Sequence, residues 1–161
     1  MEDVYPNESI QRESALCYIS ILAPNIIGIL NRISSMMRRK RYNMEEVSVA
    51  FDQDDMAHFL IAIDSNAHDV EQVMNQLYKL HDVVSVDNIS DRTDKLFYAI
   101  YVNAAEKHIF NAFPVPPVDV VKLEEGFKGV FMVNLEKIDV FSEYLNASNL
   151  SYVKRILSLV D

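Results

Sequence analysis

A single cysteine, three glycines and a shortage of basic residues set the first limits on this chain of 161 residues. With Cys17 alone, no intramolecular disulfide can form. Its place in the apolar run from Ala15 to Leu22 reads as a buried, inert thiol. Because glycine is scarce, Gly28, Gly126 and Gly129 are each expected where the backbone needs one. Fifteen Lys and Arg against 24 Asp and Glu leave a net charge of −9. Phosphate binding relies on clustered cations, so no nucleic-acid partner is expected. No apolar run approaches the roughly 18–20 residues needed to span a bilayer, so no membrane partner is expected either. Residues 1–13 are polar, carry Pro6 and read as a flexible leader rather than a signal peptide. Asn-x-Ser sequons at Asn7, Asn88, Asn146 and Asn149 then read as chance matches, and the expected compartment is the cytoplasm.

Catalytic patterns are missing too. There is no G-x-S-x-G, no phosphate-binding P-loop and no G-x-G-x-x-G. The histidines at 58, 68, 81 and 108 lack metal-ligand spacing to Cys, Asp or Glu. Counted as a calcium loop from Asp52, the run has Ala57 where a glycine is needed and Ile63 where the bidentate glutamate belongs. Glu45-Glu46 and Glu124-Glu125 are adjacent, and neighbours on a strand point to opposite faces, so neither is an acid/base couple. The chain reads as a non-enzyme with no metal and no cofactor of its own.

What is present is periodicity. Cys17, Ile19 and Ile21 alternate with Tyr18, Ser20 and Leu22 in a first strand, broken at Ala23-Pro24-Asn25. Ile26, Ile29, Leu30, Ile33 and Met37 then follow helical spacing to about Lys40, with Asn25 as a plausible N-cap. Strands from Glu45 to Phe51 and through Phe59, Ile61 and Ile63 form a hairpin around Asp52-Gln53-Asp54-Asp55. A helix over Ala67–His81 and a strand over Val83–Ile89 complete a β-α-β-β-α-β order. After the linker Ser90–Lys95, strands at Leu96–Val102, Val118–Leu123 and Gly129–Leu135 are expected. A helix at Glu136–Leu145 and a strand at Tyr152–Leu159 follow. The first helix of this half has only Ala104–Phe113 to occupy, a turn or two. The fold class is α+β: a ferredoxin-like domain over 14–90, then an abbreviated ferredoxin-like domain over 91–161.

Two local features bear on function. Arg38, Arg39, Lys40 and Arg41 fall at a helix end, where they either complement the helix dipole or meet an acidic partner. Asn25-Ile26-Ile27-Gly28-Ile29-Leu30 opens the first helix, whose leading N–H groups lack intrahelical partners and suit a carboxylate. A glycine there lets a ligand or another chain approach the backbone. The same residues also fit a capped helix with a packing glycine.

Tyr18 to Leu30 (YISILAPNIIGIL) followed by Asn31-Arg32 resembles the Asn-x-x-Gly-x-Leu-x-Arg opening of ACT domains. Arg41-Tyr42-Asn43-Met44-Glu45 and the segment Val73 to Val86 (VMNQLYKLHDVVSV) are similar to the ACT-domain small subunits of acetolactate synthase. The resemblance covers residues 14 to about 103 and continues more weakly beyond. It implies a regulatory subunit whose ACT domains pair edge to edge as a homodimer and bind a branched-chain amino acid, valine foremost, at their interface. The implied effector site is Asn25, Ile26, Ile27, Gly28, Ile29, Leu30, Asn43 and Met44. The implied partner is the catalytic large subunit, to which thiamine diphosphate, Mg and FAD would belong. The alternative is an ACT-domain amino-acid sensor, or a degenerate pairing module, serving another enzyme. An RNA-binding RRM shares the element order, but strand three reads MAHFLIAI and lacks the RRM motif. Arg41 stands where the family has glycine and Ile27 where it has a small residue or proline. If position 41 is left-handed, Arg41 carries a cost that glycine would not.

Overall fold

The computed structural model describes residues 16–159, so the expected leader at 1–13 lies outside the described residues. They form two units divided between Asp91 and Arg92. The first comprises β1 (Leu16–Pro24), α1 (Ile29–Arg39), β2 (Glu46–Phe51), β3 (Met56–Asp64), α2 (Val70–Tyr78) and β4 (Ser85–Asn88). Its sheet is antiparallel in the order β2-β3-β1-β4. This is the ferredoxin-like arrangement expected from the alternation of periods.

Alternation sets the sheet's faces. Ile19 opposes Ile61 and Ile21 opposes Phe59, so the period-two residues of the two central strands meet on one face. Together with Cys17, Ala57 and Ile63 they pack in one core with Ile29, Ile33, Met36 and Met37 of α1 and Val73 and Leu77 of α2. Both helices are shorter than their periodicity suggested. Asp69 caps α2 by accepting from the Gln72 N–H at 3.2 Å, so the helix starts there and not at Ala67. The N–H groups of Ala67 and His68 bond instead to the Asp64 carbonyl.

α1 begins after Gly28, which has φ +84° and is the N-cap. The expected cap, Asn25, is therefore not the N-cap. Its backbone N–H donates to the Asp55 carbonyl at 2.8 Å and its side chain to the Asp55 carboxylate at 3.0 Å. The C-terminus bears out the conditional expectation for position 41. Arg41 is left-handed at φ +58°, and the Tyr42 N–H reaches back to the Met37 carbonyl at 2.8 Å, as in a Schellman motif. Arg38 and Arg39 lie in the last turn, where their charge complements the helix dipole.

The second unit comprises β5 (Leu96–Ala104), a 3-10 helix (Lys107–Ala112), β6 (Asp119–Lys122), β7 (Phe127–Asn134), α3 (Ile138–Ser148) and β8 (Tyr152–Ser158). Its sheet order, β6-β7-β5-β8, repeats that of the first unit. The six-residue 3-10 helix stands where the first crossover helix belongs. At three residues per turn, positions three apart lie on one face. Phe110 and the flanking Phe113 exploit this to enter the core with Phe131, and Phe113 and Phe131 also meet Phe141 of α3. Gly129 makes room: a Cβ there would lie 2.8 Å from the Phe110 ring. No helix among the described residues is long and apolar enough to cross a membrane.

Candidate functional site

β2 is an edge strand, and its position leaves part of the first core uncovered. Val47, Val49 and Phe51 point to the helix-bearing face, since they oppose Ile61, Phe59 and Ala57. At the edge that face is incompletely roofed, and Phe51 remains 62% exposed. Between β2 and the start of α1 lies an open recess of about 560 Å³. Its wall is largely apolar, formed by Ile26, Ile29, Leu30, Val49, Phe51 and Phe59, with Asn25, Gly28, Asn31 and Ser34 as the remaining lining.

Five of the eight residues that the resemblance assigned to an effector site, Asn25, Ile26, Gly28, Ile29 and Leu30, therefore meet at this recess. Ile27 is fully exposed and is not part of the lining. Asn43 and Met44 also lie outside it, in the segment leading into β2. The Asn43 side chain donates to Glu45 at 3.1 Å, its backbone N–H donates to His68 Nε2 at 3.3 Å, and Met44 packs against the core. Sequence reasoning missed Asn31, Ser34, Val49, Phe51 and Phe59. The last three lie on strands that alternation identifies, and nothing local marks β2 as an edge.

The recess has a defined polar end. The Ile29 N–H donates to the Ile26 carbonyl at 3.2 Å, but Gly28 supplies no side-chain cap, so the next N–H groups of α1, those of Leu30 and Asn31, stay open to an outside acceptor. A Cβ on Gly28 would meet nothing within 4 Å, so the approach to this turn is clear. Behind Asn25 the β2–β3 turn is tightly braced. The Asp52 carboxylate accepts from the Asp54 and Met56 N–H groups at 2.9 and 3.0 Å and from His58 Nε2 at 2.8 Å. The His58 bond, then that from Met56, holds the Asp52 carboxyl below its ordinary 3.8.

Arg32, the arginine of the helix-opening motif, donates to Asp82 at 2.6 Å. Asp82 follows α2, so the pair ties the two helices together at one end. Bonds from His81 and then from Arg32 hold the Asp82 carboxyl below 3.8. Two of the sequence pieces that carried the resemblance thus meet in a single ion pair.

Residues 19–85 match the AHAS small subunit-like ACT domain family. A probable acetolactate synthase small subunit of Archaeoglobus fulgidus is 32% identical over 74 residues, covering 45% of this chain and 46% of that one. Acetolactate synthase small subunit 2, chloroplastic, of Arabidopsis thaliana is 35% identical over 72 residues, 45% of this chain but 15% of that one. The chain thus spans about half the length, or less, of these curated relatives. The crystal structure of the acetolactate synthase small subunit from Thermotoga maritima superposes with a TM-score of 0.68 at 17% identity, over 91% of this chain and 98% of that one. That likeness establishes the fold of both units. The recess lies on residues within the segment 19–85 that matches the AHAS small subunit-like ACT domain.

Proposed function

We propose that this chain is a non-catalytic regulatory subunit of acetolactate synthase that binds a branched-chain amino acid at the α1–β2 recess. The observation that carries the reading is the recess itself: an apolar wall closed at one end by Asn25 and an uncapped helix start, on a segment that matches this ACT domain family. The open N–H groups suit an α-carboxylate, the Asn25 amide suits an α-ammonium group, and Leu30, Val49, Phe51 and Phe59 suit a branched aliphatic side chain. Valine is the proposed effector.

A second copy of the chain completes the site. Among the described residues β2 is the outermost strand of its sheet, and exposed edges are liabilities unless paired or covered. Phe51, Val47, Leu30 and Ile27 are exposed around that edge, an apolar border that edge-to-edge pairing of two ACT domains would bury. Effector binding would then change the dimer's hold on the catalytic large subunit, a coupling of typically about 1–3 kcal/mol. Thiamine diphosphate, Mg and FAD belong to that partner, and the complex works in the cytoplasm.

Isothermal titration with valine, leucine and isoleucine tests the reading, with Asn25→Ala alongside and a pull-down of the catalytic subunit. Saturable binding weakened by Asn25→Ala, together with capture of the catalytic subunit, is the expected result. No heat with any of the three and an unchanged melting temperature would defeat the effector site. Binding of amino acids without capture of the catalytic subunit would favour an ACT sensor serving another enzyme.

A further inference from the structure

We infer that Asp55, at the tip of the β2–β3 hairpin, is the positioning residue that orients Asn25 and thereby makes the recess selective for ligands bearing a protonated α-amino group. The inference deepens the effector reading above and rests on it.

Asn25 is held at two points by one residue. Its backbone N–H donates to the Asp55 carbonyl at 2.8 Å and its side-chain Nδ2 to the Asp55 Oδ1 at 3.0 Å. An ionised carboxylate can only accept, so this bond settles which way the amide is turned. Nδ2 faces Asp55, and Oδ1 is left over. Among the described residues no donor is bonded to Asn25 Oδ1. A lining residue thus offers a free acceptor whose direction is set by a carboxylate one hydrogen bond behind it.

The support is rigid for a reason that has nothing to do with the first unit's core. Asp55 has φ +60°, a left-handed conformation that an aspartate tolerates at some cost. It persists because the turn around it is over-determined by the Asp52 carboxylate, which binds Asp54, Met56 and His58. None of the residues lining the recess is ionisable. The anionic group hydrogen-bonded to that wall is Asp55, and a negative charge there favours an ammonium group over a neutral hydroxyl.

The test uses the full chain with valine and with α-hydroxyisovalerate, which carries a hydroxyl in place of the amino group. Asp55→Gly removes the carboxylate while keeping, and easing, the left-handed backbone. Asp55→Asn keeps both the acceptor and the tolerance for positive φ. Asp55→Gly is expected to weaken valine about tenfold, the scale of one hydrogen bond to a charged partner, with under twofold change for the hydroxy acid. Asp55→Asn, which keeps the acceptor that orients Asn25 but loses the charge, should recover only part of that loss. In the effector-free protein the Asn25 side-chain amide resonances should move in Asp55→Gly and stay nearly in place in Asp55→Asn. Equal losses for both ligands, unchanged valine binding or unmoved Asn25 resonances in Asp55→Gly would overturn the inference while leaving the effector site intact. A parent protein that binds none of the branched-chain amino acids would defeat the effector reading itself, and this inference with it.

Discussion

Replacing Gly28 with alanine separates the two things this glycine does. At φ +84° an added Cβ costs about 1–2 kcal/mol through the left-handed backbone alone. A stiffer unfolded chain returns about 0.4–1 kcal/mol of that. Nothing lies within 4 Å of the new atom, so no steric cost is added. The expected net loss is about 1 kcal/mol, a fall of a few degrees in melting temperature. Gly126→Ala is the internal comparison. It has nearly the same backbone angle, φ +81°, but its Cβ would lie 2.5 Å from the Ala104 carbonyl oxygen, so its loss should be clearly larger. Urea unfolding of both variants, read as a shift in midpoint at constant slope, measures the difference. Gly28→Ala should nonetheless abolish or strongly weaken effector binding, because the methyl occupies the approach to the helix start. Equal stability losses for the two variants would show that the turn at Gly28 is already crowded. No loss at all would show that its backbone is not left-handed, and the account of the uncapped helix start would fail.

Arg41→Gly should stabilise the first unit by about 0.5–1 kcal/mol, since it removes a left-handed side chain at the Schellman position; a lower midpoint in urea would count against this. Gly129→Ala should destabilise the second unit by about 1–3 kcal/mol, because its Cβ would press on the Phe110 and Phe131 rings at 2.8 and 2.9 Å; a neutral effect in thermal melting would show that the aromatic core can yield. The Asp52 carboxyl is held below 3.8 in the folded chain, chiefly by His58, so its contribution to stability is complete above that value and is lost as pH falls through the lowered one. Melting from about pH 5 to about pH 3 should therefore fall less steeply in Asp52→Asn than in the parent.

The order of elements was legible because two periods alternate along the chain, and the sheet registers follow from them. What was not legible involves partners remote in sequence. Asn25 looked like a helix cap because it precedes an apolar run, yet its hydrogen bonds go to Asp55, thirty positions away. That contact ties Asn25 to the hairpin tip, the chain turns there with the Ile26 N–H on the Pro24 carbonyl, and the helix begins only after Gly28. Val49 and Phe51 alternate like core residues, and no local pattern distinguishes an edge strand from a central one. Their exposure follows from the order β2-β3-β1-β4, in which β2 is outermost. The short crossover in the second unit was legible for a steric reason: few residues separate β5 from Pro114, too few for a full helix and its turns.

The residues behind the family resemblance divide into two physical kinds. Arg32 with Asp82, and Tyr42 with Met44, are spent within the first unit, as an ion pair and as side chains packed on its core. Asn25 and Gly28 are not: they leave a free acceptor and an open helix start, beside the uncovered apolar edge at Phe51. Folding satisfies the first kind and leaves the second unsatisfied at one place on the surface. An apolar edge that merely tolerated exposure would not need a braced turn such as Asp52–Met56 behind it, nor a left-handed Asp55 to hold one asparagine in one orientation. A ligand at Asn25 would give that braced tip a role, which is why the proposed site is the recess and not the basic helix end.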